Sequence, residues 1–443
     1  MGAPSKMGGA ERRAKRLLNG KAGANLKSPP QSAERKYTMY FLRCAACGAE
    51  YADDGLMVRC SIEHEPALLQ TVYASREFRP DERYSGMMRY HRWLPIRGGA
   101  PEYCPRAAIF QSSALCDALG APNLWLAFNG YWPQRDARMP TGTFKDLESA
   151  AVLARFPAGK RILVTASAGN TAAALASAAS RSETPAIVVV PENALAKLRF
   201  SRPLMPCVRI VALAGDASYD DAIAFAKALA QSDERYVFEG GAANVARRDG
   251  IGTTMLSAAE IVGSLPDYFV QAIGSGAGAI AAHEAALRLR ADGRFGSALP
   301  KLLLVQNAPS APVYESWKRR SRTLVGYDEN AQELRTRMSA LAAPVLSTQL
   351  PPYAVRGGLY DVLTECGGEV CVADNAAARR ANMLFESLEG IALEPAAAVA
   401  LAGLTASIES GAVEREASIV LHVTGAGRVP DTIYGPAAVE LAA

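Results

Sequence analysis

From Arg161 onward the apolar and polar positions fall into two alternating rhythms. Short, almost wholly apolar runs appear at Arg161-Ile-Leu-Val-Thr165, Ala186-Ile-Val-Val-Val190, Cys207-Val-Arg-Ile-Val-Ala212 and Arg235-Tyr-Val-Phe238. Between them lie stretches with helical spacing, among them an alanine-rich run to Ser180 and residues 219–231. The same pattern returns at Tyr268-Phe-Val-Gln-Ala-Ile273, Lys301-Leu-Leu-Leu-Val305 and Ser418-Ile-Val-Leu-His-Val423. A run apolar at successive positions suits a strand covered on both faces. Strands separated by helices suit a parallel sheet, so the pattern predicts an α/β fold. Upstream, residues 123–128 read as one more strand, and a helical run starts at Asp146-Leu-Glu-Ser-Ala-Ala-Val. Residues 40–64 read differently, as a small ribbon around Cys44-Ala-Ala-Cys47-Gly48, Cys60 and His64.

Length and composition narrow the class. The chain has 443 residues, 49% apolar and 21% charged, enough for two or three domains with a large core. The longest apolar stretch, residues 391–406, is interrupted by Glu394 and Pro395, so no membrane span is predicted. The net charge of +4 is concentrated: residues 1–36 hold nine Lys or Arg against Glu11 and Glu34. The body is therefore slightly acidic and makes no electrostatic case for nucleic acid. Residues 1–38 are rich in Gly, Ala, Ser and Pro and are expected to be a disordered basic tail. Eight scattered cysteines without a secretory signal predict reduced thiols in a cytoplasmic protein.

Four short motifs carry chemistry. Lys145 follows Thr141-Gly-Thr-Phe144 at the start of a helix, where the helix dipole disfavours a second positive charge. A lysine there can lose its proton and form a Schiff base, although a solvated lysine at a helix start reads equally well. Ser167-Ala-Gly-Asn-Thr171 lies between a strand end and a helix start and suits a carboxylate, with the Asn170 amide free for a second oxygen; an ordinary capped turn is the plainer reading. Gly274-Ser-Gly-Ala-Gly278 also opens a helix. It lacks the Lys-Ser/Thr of a Walker loop and the spacing of a dinucleotide fingerprint, so a single dianionic phosphate fits it best. Thr424-Gly-Ala-Gly427 ends the last strand, where a hydroxyl can bond a heteroaromatic nitrogen, or where a glycine turn simply closes the strand. A lysine for an aldehyde, an amide for a phenolic oxygen, a cradle for a phosphate and a hydroxyl for a ring nitrogen are together what pyridoxal phosphate needs. Separately, Cys44, Cys47, Cys60 and His64 could complete a tetrahedral zinc site, or pack as a plain hairpin.

The order of these motifs, with the Cys-rich ribbon in front, resembles threonine synthase, a fold type II pyridoxal-phosphate enzyme. Residues 128–133, 239–248, 294–300, 351–353, 357–361 and 385–390 look closer to its relative, cysteate synthase. The resemblance implies a tryptophan synthase β-like α/β fold: two doubly wound domains behind a zinc-ribbon-like N-terminal hairpin. The expected divisions are a ribbon at 39–65, a large domain from 66–154 and 247–443, and a small domain at 155–246. It also implies that Lys145 carries the cofactor, that Asn170 bonds its 3′-oxygen, that Gly274, Ser275, Gly276, Ala277 and Gly278 hold its phosphate, and that Thr424 faces its pyridine nitrogen. Thr143, Ser167, Gly169, Thr171, Arg247 and Arg356 are the implied substrate contacts. The implied reaction is a β-replacement, O-phospho-L-serine plus sulfite to L-cysteate, serving coenzyme M biosynthesis in a homodimer. Because leaving group and nucleophile are both anionic, fixed guanidinium groups are expected among Arg135, Arg247, Arg248 and Arg356. The alternatives are threonine synthase, acting on O-phospho-L-homoserine with water, and a non-catalytic protein that binds a phosphate ligand.

Overall fold

The computed structural model describes residues 39–97, 104–157, 159–215, 217–325, 331–346, 348, 351–427, 435 and 439–442; the basic tail expected at 1–38 lies outside them. Two sheets organise the molecule. The larger has six strands in the order Glu369–Ala373, Lys301–Asn307, Tyr268–Ala272, Ile419–Val423, Leu124–Phe128, Ala108–Phe110. All its pairings are parallel except the last. The smaller has five parallel strands, Tyr236–Phe238, Ile162–Ala166, Ala186–Pro191, Val208–Leu213 and Val439–Ala442.

The unbroken apolar runs are explained by cover on both faces. In the smaller sheet, Val188 and Val190 share a cluster with Ala172 and Leu175 of helix Asn170–Arg181. Their neighbours Ile187 and Val189 pack with Ala222 and Phe225 of helix Tyr219–Ser232. In the larger sheet, Leu302 and Leu304 face the side of helices Val245–Val262 and Ala277–Asp292, while Leu303 and Val305 face helix Pro395–Glu409. This is the doubly wound arrangement the alternation predicts.

Two differences from the expected division stand out. The final strand, Val439–Ala442, pairs with Val208–Leu213 and so belongs to the smaller sheet, although residues 247–443 are expected in the larger domain. A four-residue parallel strand carries no local signal of its partner. The N-terminal ribbon is a three-stranded antiparallel sheet whose third strand, Leu69–Tyr73, extends past the expected limit at residue 65.

Helix Val245–Val262 lies at the centre, packed against both Lys145–Arg155 and Ala277–Asp292. Two glycines permit this. A Cβ at Gly250 would stand 2.5 Å from the Leu147 carbonyl oxygen, and one at Gly252 would stand 3.0 Å from that of Ala281. The central helix thus meets each neighbour almost backbone to backbone. No helix among the described residues is long and apolar enough to cross a membrane.

Candidate active site

Three of the motifs follow directly from parallel strands. Ser167 comes after Ile162–Ala166, Gly274 after Tyr268–Ala272 and Thr424 after Ile419–Val423, at the carboxyl ends where open α/β sheets hold ligands. The lysine loop reaches the same place by pairing with the terminal turn: Phe144 N–H donates to the Thr424 carbonyl (2.9 Å) and Ala426 N–H to the Gly142 carbonyl (3.2 Å). A cavity of about 400 Å³ results, lined by Lys145, Ser167–Thr171, Arg247, Gly274–Gly278 and Thr424. The four separate motifs therefore line one cavity.

Each part has a local cause. Lys145 opens helix Lys145–Arg155, as expected, but the preceding threonines do not face the cavity. Thr143 is buried, and its hydroxyl accepts the Lys145 backbone N–H (3.4 Å), so it shapes the turn. Asp146 accepts the Thr141 N–H (2.9 Å). Burial raises the Asp146 carboxyl to about 7, with the Thr141 bond opposing it. Gly276 has φ +73° and caps helix Ala277–Asp292, whose first N–H groups have no partner within the helix. A Cβ at Gly276 would meet Leu359 at 2.4 Å, and one at Gly278 would meet Gln271 at 2.3 Å, so a side chain at either position would have to displace its neighbour. The Asn170 side chain, half-buried at the start of its helix, makes no hydrogen bond among the described residues.

Beneath the lysine lies a cluster the motifs do not announce. Lys145 Nζ is 2.9 Å from Glu148 Oε2, and Glu148 is 1% exposed. Glu148 Oε1 accepts from Arg247 Nη1 (2.8 Å) and from the Thr171 hydroxyl (2.9 Å). Arg247 also pairs with Glu239, through Nε at 3.0 Å and through Nη2. Burial lowers the Lys145 ammonium below lysine's ordinary range, with Glu148 opposing the shift and Arg247 adding to it. Burial would raise the Glu148 carboxyl, but Arg247 and Lys145 outweigh it and hold it below its ordinary value. For Arg247, burial opposes the charge, and Glu148 with Glu239 more than restores it. Behind the lysine loop, His422 lies 5.3 Å from the Phe144 ring, and its Nδ1 is 3.0 Å from Gln271 Oε1. Burial first, then Lys145, brings His422 to about 3, so it is neutral.

Several expected guanidinium groups are elsewhere. Arg356 pairs with Glu65 (2.7 Å) and bridges Ala67, outside the cavity lining. Arg135 stacks on Phe110 and Trp132, and Arg248 is fully buried against Glu284. Arg247 does line the cavity, but committed to two carboxylates. Sequence reasoning missed Glu148, Gln271 and Lys197 on or under the cavity wall. Glu148 was within reach, three residues after the lysine and hence on the same helix face. Lys197, after the strand Ala186–Pro191, carries no such signal.

In the ribbon, the ligand atoms of Cys44, Cys47, Cys60 and His64 all lie within 4.8 Å of one another. Cys44 Sγ is 3.2 Å from His64 Nε2, and Cys47 Sγ is 3.7 Å from Cys60 Sγ. Tetrahedral zinc with bonds of about 2.0–2.3 Å needs separations of this size, so three thiolates and an imidazole here fit a structural zinc.

Residues 120–425 match the family described as pyridoxal-phosphate dependent enzyme. The chain is 44% identical to the cysteate synthase of Methanosphaerula palustris over 396 residues, 88% of this chain and 90% of that protein. It is 38% identical to the cysteate synthase of Methanosarcina mazei, covering 88% and 92%. Among solved structures it is similar to maize serine racemase (TM-score 0.54, 18% identity, 74% of this chain and 90% of that one). It is likewise similar to threonine deaminase isoform 2 of Solanum lycopersicum (TM-score 0.54, 18% identity, 73% and 84%).

Proposed function

The chain belongs to the pyridoxal-phosphate dependent enzymes, and within them to the cysteate synthase family; on that premise we propose that it catalyses a β-replacement in which sulfite displaces phosphate from O-phospho-L-serine to give L-cysteate. One observation carries the reading furthest. Lys145, Asn170, the Gly274–Gly278 loop and Thr424 come from separate segments, yet line a single cavity in a chain this similar to cysteate synthases.

The residues fit the cofactor. The helix N-terminus at Gly274–Gly278 would take its phosphate, the unpartnered Asn170 amide its ring oxygen, and the Thr424 hydroxyl its ring nitrogen. Bound there, pyridoxal phosphate supplies an electron sink for the charge left on the substrate's Cα. Ser167 and the first N–H groups of helix Asn170–Arg181 would bind the substrate carboxylate; the Thr171 hydroxyl is committed to Glu148 and contributes only its backbone. Lys145 Nζ takes the Cα proton and, as an ammonium, stands ready to protonate the departing phosphate. Of the cavity's cationic side chains, Lys145 and Arg247 are paired with Glu148. Lys197 has no ion pair among the described residues and is the cation that would meet the incoming sulfite. A homodimer, a cytoplasmic location and a role in coenzyme M biosynthesis accompany this reading.

The test is direct. The purified protein is given phosphoserine with sulfite, and separately phosphohomoserine alone, and phosphate and amino-acid products are measured. Cysteate formed only in the first mixture is expected; turnover only of phosphohomoserine overturns the assignment in favour of threonine synthesis. A yellow band bleached by borohydride, with the label on Lys145, is expected as well. A protein left colourless by added cofactor would mean a plain phosphate-binding site.

A further inference from the structure

Glu148 has two carboxylate oxygens with different company. Oε1 is saturated by donors that do not belong to the reaction: Arg247 Nη1 at 2.8 Å and the Thr171 hydroxyl at 2.9 Å. Arg247 is itself held by Glu239, whose Oε2 also accepts the Gly241 N–H at 3.0 Å. Three chain segments thus lock the Glu148 rotamer from behind. Among the described residues, Oε2 is bonded only to Lys145 Nζ, at 2.9 Å. A carboxylate that is 1% exposed is costly to keep ionised, and here one of its oxygens serves a single amine.

We propose that Glu148 is a positioning residue, the seat to which the Lys145 side chain returns whenever its amine is not bonded to the cofactor. The inference rests on Lys145 being the cofactor-bearing lysine. In the proposed reaction the amine must be free while it handles the substrate's proton, and a lysine side chain left loose would sample many rotamers. Glu148 confines it to one, on the helix face above which it must act, and balances its charge while it carries that proton. The proton itself passes from Cα to Nζ and on to the leaving phosphate; Glu148 stays ionised throughout, so no proton is gained or lost at the carboxylate. The charged and titratable groups around the pair are Arg247 and Glu239 on the far side, Asp146 on the same helix, Tyr219 from helix Tyr219–Ser232 and the neutral His422 behind Phe144, with Lys197, Asp220 and Glu394 on the lining of the same cavity. With Glu148 neutralised, burial and Arg247 both act to deprotonate the lysine, and only the more distant Glu239 resists.

The experiment uses the full chain stripped of cofactor and follows the rate of pyridoxal phosphate uptake against pH by the rise of the visible band. Uptake needs the unprotonated amine, so its rate climbs through the lysine's titration. In Glu148→Gln the midpoint is expected about one pH unit lower or more, making uptake near neutral pH about tenfold faster. In steady state the same variant is expected to lose about 10- to 100-fold in kcat with little change in KM for phosphoserine. An unchanged midpoint in a folded Glu148→Gln protein overturns the proposal, whatever happens to activity. Should that variant not fold, Glu148→Asp carries a weaker form of the test: the charge stays but is drawn back from Nζ, so a smaller downward shift is expected, and an unchanged midpoint again overturns the proposal. Borohydride labelling of the wild type separates the two layers: a label on another lysine removes the premise, whereas a label on Lys145 with an unmoved midpoint removes only the role of Glu148.

Discussion

The cavity has two walls built on opposite principles. One is mostly backbone: Ser167–Thr171 and Gly274–Gly278, strand ends turning into helices, where N–H donors predominate and the side chains, Asn170 apart, are small or missing. The other is charge: Lys145, Glu148, Glu239 and Arg247, drawn from three segments and meaningful only as a set. The first wall is specified by a few consecutive residues and can fail one residue at a time. The second fails as a unit, since removing one ion strands its partners in a buried site.

Substitutions should separate the walls. The largest effect falls where the charged wall meets the reaction. Lys145→Ala is expected to lower kcat by about 10⁴-fold or more, because both the covalent attachment and the proton transfer are lost. The borohydride-sensitive band should vanish with it, and a retained band at that wavelength would deny the lysine its role.

Arg247→Ala comes next and strikes stability. Buried Glu239 loses Arg247 and buried Glu148 is left with Lys145 alone, at a cost of about 3–5 kcal/mol in urea unfolding. If the loss is under about 1 kcal/mol, in the range of an exposed pair, the charged wall is not a unit. The pH dependence sharpens the point. The Glu148 carboxyl is held below its ordinary value when folded. Its contribution is therefore present above the unfolded carboxylate range, near pH ~4.3, and is lost as pH falls through the folded value. Acid unfolding of wild type and Glu148→Gln should accordingly differ at neutral pH and converge towards the acid end.

On the backbone wall, Gly276→Ala forces a side chain into a left-handed conformation at φ +73° and against Leu359. The strain is about 1–2 kcal/mol, so cofactor affinity, read by absorbance titration, should fall about tenfold while urea stability of the apo-protein changes by no more than that strain. Smallest of all is Lys197→Ala. A solvated cation steering an anion should cost about three- to tenfold in KM for sulfite, lessening as salt is added, with kcat and the visible band untouched. A change in cofactor affinity would place Lys197 on the phosphate instead.

The two walls also differ in how well the sequence discloses them. Gly274–Gly278 could be read because a strand, a glycine turn and a helix follow one another without interruption, and their geometry is local. The same holds for Ser167–Thr171 and for Thr424 at the end of its strand. Arg247 could be named as a cavity residue, but not its commitments: Glu239 lies 8 residues before it and Glu148 lies 99 before it. No periodicity links such positions, so the expectation of a free guanidinium clamp failed for a physical reason, that a buried arginine must first find its own carboxylates. Arg356 failed differently. It stands among residues of the cysteate synthase kind but turns toward Glu65 and the ribbon. The strand Val439–Ala442 was invisible because its partner is more than two hundred residues away.

The two glycine contacts of the central helix set a tolerance for the whole site. Helix Lys145–Arg155 carries the lysine and helix Ala277–Asp292 starts at the Gly274–Gly278 loop; both rest on Val245–Val262 at Gly250 and Gly252, where each approach is to a backbone carbonyl and one alanine methyl, Ala151 and Ala285. The spacing between the lysine and that loop is thereby set by two close helix contacts with little side-chain bulk at the point of approach. A methyl group at Gly250, where a Cβ would stand 2.5 Å from the Leu147 carbonyl oxygen, would push the lysine's helix outward, and a misplacement of ~1 Å at a reacting group costs an enzyme about 100-fold. The precision of the active site is, in this sense, machined at its back.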